Sequence, residues 1–127
     1  MATHQTPGEV VMPQYQTCST PRGSLRVRIA DTFVSRGLGL LVGAPIDRDE
    51  GLLIAPCSSI HTMGMRYTID VVFMDRDARV CRVCGDVRAG RLRFGWGARA
   101  VLELRAGVAA QHGIVPGLQL AELAASL

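Results

Sequence analysis

The sequence contains no lysine: all 14 basic residues are arginine. Against 11 acids they leave a net charge of +3, too small to argue by itself for a nucleic-acid partner. Genome composition is the simpler account of an all-arginine complement. Aromatics are scarce at 5%, so the core has to come from Val, Leu, Ile, Met and Ala. No stretch reaches the roughly 18 apolar residues that cross a bilayer. Residues 1–20 lack the charged start and apolar run of a secretory signal. The expected location is therefore cytoplasmic, where the four cysteines stay reduced rather than paired. A glycine-rich phosphate loop, a Gly-x-Ser-x-Gly elbow and a His-Glu-x-x-His helix are all missing, which sets aside the chemistries those motifs carry. With four Glu and seven Asp in all, no acidic pair with a catalytic context stands out.

What is present is a chain that can fold. Hydrophobic residues make up 48% of 127 positions, enough for one domain with a real core and against disorder. Residues 1–23, with Pro7, Pro13 and Pro21, read as a flexible N-terminal arm, and residues 24–127 as a single domain. Leu25 to Ile29 alternates apolar and charged residues, the pattern of a half-buried strand. Asp31 or Thr32 can cap a helix from Phe33 to Leu41. Strands are expected at Gly51–Ala55, Ile69–Met74, Arg79–Cys84, Ala98–Leu104 and Leu118–Leu123, with Asp75–Ala78 as a hairpin turn and Gly85–Gly97 as a long loop. Gly107–His112 fits a short helix closed by Gly113. The sum is an α+β domain, mainly β, with a compact, barrel-like and mostly antiparallel sheet and two short helices.

The centre of interest is Cys57 to Asp75. Ile69-Asp70-Val71-Val72-Phe73-Met74 is apolar on both faces except for Asp70, as an interior strand would be. A carboxylate there is costly unless paired or hydrogen-bonded. Either it serves a ligand, or it accepts bonds from loop amides or an arginine, Arg36 or Arg66, and pins a turn; the second is preferred. Cys57-x3-His61 and Cys81-x2-Cys84 together offer four ligands of the kinds zinc takes. A hairpin closed at Asp75–Ala78 would place Cys84 opposite Ile69, eight residues and about 26 Å from His61, which argues against a shared metal. Cys57 and His61 alone could form an activated thiolate pair. Their spacing on an extended chain is about 13 Å, so a structural His61 is preferred. Met63, Met65 and Met74 with Tyr67 and Phe73 could line an adaptable pocket or simply be core. Arg88, Arg91, Arg93 and Arg99 interleave with Phe94 and Trp96. That mixture suits single-stranded nucleic acid, but a solvated loop is preferred.

Three ordered segments carry a family resemblance. Ile60-His61-Thr62-Met63-Gly64-Met65-Arg66-Tyr67-Thr68-Ile69-Asp70-Val71-Val72-Phe73-Met74-Asp75, then Val101-Leu102-Glu103-Leu104-Arg105-Ala106-Gly107 with Ala109 to Ile114, and Arg36 to Leu41, together resemble the domain of unknown function 192 family over residues 25–123. The resemblance implies a small, mainly β prokaryotic domain with no established activity. Thr68 stands where the family has Pro, Ala78 where it has a turn Gly, Arg105 where it has Pro, and Leu118 where it has Asp. With these departures the chain resembles a divergent member.

The function expected from the sequence is a non-enzymatic accessory domain that binds a small molecule or a protein partner. Its candidate site residues are Cys57, His61, Met63, Met65, Arg66 and Asp70, with Asp70 organising the floor. No metal, cofactor or catalytic residue is assigned. Two alternatives remain: a small enzyme using Cys57, His61 or Asp70 on a polar substrate, and nucleic-acid binding through the arginine-rich 88–99 stretch.

Overall fold

The computed structural model describes residues 14–30 and 46–127. Among them are strands β1 (Gln14–Thr20), β2 (Gly23–Ile29), β3 (Glu50–Ile54), β4 (Ser59–His61), β5 (Ile69–Met74), β6 (Val80–Val87), β7 (Leu92–Phe94) and β8 (Ala100–Arg105). A short helix α1 (Val108–Gln111) and a 3-10 helix (Ala121–Ser126) follow. Six strands form one sheet in the order β1-β2-β3-β8-β5-β6, while β4 and β7 pair as a separate ribbon. Only β2 and β3 run parallel; the other pairs are antiparallel. The class is α+β, mainly β. Among the described residues the sheet does not close: β1 and β6 end it, so the barrel-like shape expected from the sequence is corrected to an open sheet.

Apolar runs and alternation explain the placement. All six residues of β5 are buried because the strand lies between β8 and β6 and both faces are covered. On one face Val72 and Met74 join Leu53, Leu102, Leu104, Val108, Ala109, Leu120 and Leu123. On the other, Ile69, Val71 and Phe73 join Ile46, Leu52, Ile54 and Val101. Each such aliphatic or aromatic side chain contributes about 1.5–3 kcal/mol before entropy is subtracted. In β2 the alternation holds: Leu25 and Val27 are buried and Arg26 is exposed.

Several expectations shift. Gln14–Thr20, read from the sequence as part of the arm, is β1 and pairs along its whole length with β2; its Cys18 is buried. The hairpin after β5 is offset from a regular closure, with extra residues taken up on the β6 side. Val71 faces Cys84, and bulges interrupt the ladder on both sides of it. The 85–97 stretch is not all loop, since β6 runs to Val87 and β7 lies inside it. The expected last strand, Leu118–Leu123, is instead a single bridge from Gln119 to Arg79 followed by the 3-10 helix. Gly107–His112 does hold the short helix, and Gly113 takes the left-handed conformation (φ 72°) that closes it. The expected helix Phe33–Leu41 lies outside the described residues, as does Arg36. No helix among the described residues is long and apolar enough to cross a membrane.

Candidate functional site

Asp70 is 2% exposed, and its two oxygens have separate duties. Oδ1 accepts the Asp86 amide at 3.0 Å and Oδ2 accepts the Ala109 amide at 3.0 Å. Asp86 (φ 53°) lies where β6 bulges against β5, so its amide is out of the ladder and needs an acceptor. Ala109 is in the first turn of α1, whose own cap residue, Gly107, supplies no side chain. The carboxylate thus replaces a helix cap and closes a bulge. Neither Arg36 nor Arg66 is needed for this, and Arg66 is exposed. Asp70 sits between Ile69 and Val71, which belong to the second cluster. By strand alternation it therefore points to the α1 face, away from Cys57 and Met65, which pack against that second cluster. The expectation that Asp70 floors a pocket with them is corrected.

The second face carries a carboxylate that the sequence reading passed over. Glu103 is 2% exposed, and among the described residues its Oε2 has no hydrogen-bond partner. It lies in a row across four strands, with Arg28 opposite Leu52, Leu52 opposite Glu103, and Glu103 opposite Val71. Burial pushes the Glu103 carboxyl up to about 8, against the opposing pull of the Arg28 guanidinium. Near it, Tyr67 Oη accepts the Ile46 amide at 3.4 Å. Arg105 lays its guanidinium 4.0 Å above the Tyr67 ring. The signal was available: Ala100 to Leu104 is an apolar run broken by one acid, the same pattern that singled out Asp70.

At the other end of this face the chain turns through a cis Ala55–Pro56 peptide into Cys57. The Cys57 amide donates to Arg99 O at 2.9 Å, and its thiol donates to Ser59 O at 2.9 Å. Pro56, Cys57, Ser58, Ser59, Ala98 and Arg99 line a cleft of about 400 Å³. Arg99 is exposed, and among the described residues its guanidinium has no hydrogen bond or ion pair. Beyond the cleft the β4–β7 ribbon begins. Ser59 faces Phe94, Ile60 faces Arg93, and His61 faces Leu92. Ile60 turns inward onto the second cluster, which leaves His61, Leu92 and Phe94 on the outer side. His61 and Met63 are exposed, the latter at 56%. Of the six residues picked from sequence, Cys57 and Met65 therefore share one margin of the second cluster, His61 and Met63 lie on or beside the ribbon, and Arg66 and Asp70 stand apart. Cys84 is buried opposite Val71 and Cys81 is exposed. Among the described residues no three His, Cys, Asp or Glu side chains are grouped to hold a metal ion.

The ribbon is held down by Gly95. Its amide donates to Ser58 O at 2.9 Å. A Cβ there would lie 2.4 Å from Phe73 Cγ and Cδ1, too close for a buried ring with no room to retreat. Gly95→Ala should lower stability by about 1–3 kcal/mol, the usual cost of overpacking, and loosen β7. Chemical denaturation checks the first effect and amide exchange at Leu92–Phe94 the second.

A family model for the domain of unknown function 192, described as "Uncharacterized ACR", matches residues 16–121. A UPF0127 protein of Pyrococcus horikoshii is 42% identical over 62 residues, 45% of this chain and 52% of that protein; the chain thus matches about half the length of that relative. Two crystal structures share the fold. One, a protein of unknown function from Novosphingobium aromaticivorans, is 22% identical with a TM-score of 0.69 over 91% of this chain and 96% of its own. The other, described as a "putative transcription regulator" from Sinorhizobium meliloti, is 21% identical with a TM-score of 0.72 over 87% and 94%.

Proposed function

The chain belongs to the domain of unknown function 192 family, and since that membership carries no established activity, we infer from the site itself a binding domain that takes a small molecule bearing a carboxylate or phosphate in the cleft beside Cys57. The observation that supports this reading is the Arg99 guanidinium, without a partner among the described residues, on a cleft that Ser58 and Ser59 also line. A guanidinium with hydroxyl donors suits the planar or tetrahedral oxygens of such anions. The volume, about 400 Å³, falls in the range that small-molecule sites occupy. Pro56 and Ala98 add an apolar flank. A catalytic role for Cys57 with His61 has no comparable support. The thiol is turned to Ser59 O, while His61 stands on the outer side of the ribbon.

Thermal denaturation against a panel of sugar phosphates, nucleotides and di- and tricarboxylates tests this reading. A ligand at a hundred times its Kd stabilises by about 2.7 kcal/mol, a rise of several degrees that Arg99→Ala should abolish. No rise with any anion, or a rise that survives Arg99→Ala, would remove the cleft from consideration.

A further inference from the structure

Separate from the cleft, the geometry points to the outer side of the β4–β7 ribbon as a docking surface for an acidic protein segment carrying apolar anchors. Four large apolar side chains stand in water on or beside this ribbon: Met63 at 56%, Leu92 at 52%, Phe94 at 51% and Trp96 at 96% exposure. Exposed apolar side chains concentrated along one short ribbon of a small domain mark an interaction site. The patch is built, not frayed. Gly95 is buried beneath it against Phe73, the Ala98 amide donates to Gly95 O at 3.1 Å, and the Thr62 hydroxyl donates to Arg88 O at 2.5 Å. Trp96 is thus held out on a fixed turn, which reduces the ordering cost of binding.

Charge decides the occupant. From Ala78 to Leu102 the chain carries six arginines and a single acid, Asp86. Arg82 and Arg93 are already committed, donating to the Phe94 and Leu92 carbonyls on the open edge of β7. Those bonds occupy acceptors that an added strand would need, so side-chain docking is favoured over strand addition. Arg88 and Arg91 at the ribbon's end remain exposed, and among the described residues their guanidinia have no partner. An apolar centre with a cationic rim is the anatomy of a protein interface, and Trp and Arg are the residues that dominate such interfaces. Single-stranded nucleic acid fits less well. Two of the four apolar groups, Met63 and Leu92, present no flat ring for a base to stack on, and two free guanidinia are few for tracking a phosphate backbone.

The test uses Trp96, the only tryptophan in the chain, as its own reporter. The full chain is titrated with a short peptide that sets Phe and Leu among Asp and Glu, with the same peptide carrying Lys for every acid, and with oligodeoxythymidine. The expected result is a saturable blue shift of Trp96 emission with the acidic peptide alone. Phe94→Ser should weaken it at least about tenfold, and Arg88→Gln with Arg91→Gln should flatten its salt dependence. Circular dichroism confirms that each variant is folded. Saturation by oligodeoxythymidine without the acidic peptide would make this a nucleic-acid platform, and equal response to the Lys peptide or none to any probe would make it a solvated face. Each of these results overturns the assignment, and none bears on the Arg99 cleft.

Discussion

Glu103→Gln is expected to be more stable than the parent protein at pH 8 by about 4 kcal/mol, with the difference vanishing only below about pH 4. The sign follows from where the proton sits. In the unfolded chain the carboxyl titrates near 4.5, while burial holds it at about 8 in the folded state. Between those values the folded protein keeps a proton that the unfolded chain has released. Stability from this group is therefore complete below pH 4.5 and is lost steadily as pH rises to about 8. Gln matches the neutral acid in shape and never ionises, so its stability should be flat over the same window. On a domain of this size the difference at pH 8 corresponds to a Tm shift on the order of 10 °C or more. Thermal melts of both proteins across the window decide the matter. A parent curve parallel to that of the variant would mean that Glu103 is ionised and paired in the fold, with Oε2 satisfied from outside the described residues.

Glu103 also shows what the sequence made legible and what it did not. The interior position of β5 could be read directly, because six consecutive residues with one polar interruption leave no wet face. The β2 alternation and the Gly113 helix stop were equally local and equally readable. Partnership across the sheet was not. The two-residue register offset of β6 against β5 depends on bulges that only cross-strand packing reveals. The parallel pairing of β2 with β3 is a long-range choice with no local signature. β1 was mistaken for arm because Gln14–Thr20 is polar apart from Tyr15 and Cys18; its stability comes from lying against β2, not from its own composition. In β7, three residues among glycines and arginines were too few to show a period. Asp70 attracted attention and Glu103 did not because the first sits in a longer apolar run, although the physical argument applies equally to both.

The two buried acids solve the same problem differently, and among the described residues only Glu103, on the second face, keeps a buried side-chain oxygen without a hydrogen bond. On the α1 face the carboxylate is saturated by two amides. On the other, an acid near its titration point, a phenol and two guanidinia lie on an apolar floor that continues past Val101 to Cys57 and Ala98. The Arg99 cleft opens at that end.

The complementary experiment is Asp70→Ala, which should cost about 3–5 kcal/mol, the range for leaving buried polar groups without their charged partner. The loss is large because one substitution strands two amides at once, Asp86 at the β6 bulge and Ala109 in the first turn of α1. Asp70→Asn separates the two contributions. Its carbonyl can still accept from one amide, but its NH₂ must face the other donor, so about half of the loss should persist. Amide exchange gives a finer reading than the melting point. Both variants should speed exchange at Ala109 and along α1, and Asp70→Ala should also free Asp86, while β2 and β3 keep their relative protection. A melting temperature unchanged in Asp70→Ala would mean that these bonds contribute nothing, and the account of why an interior strand tolerates a carboxylate would fail with them.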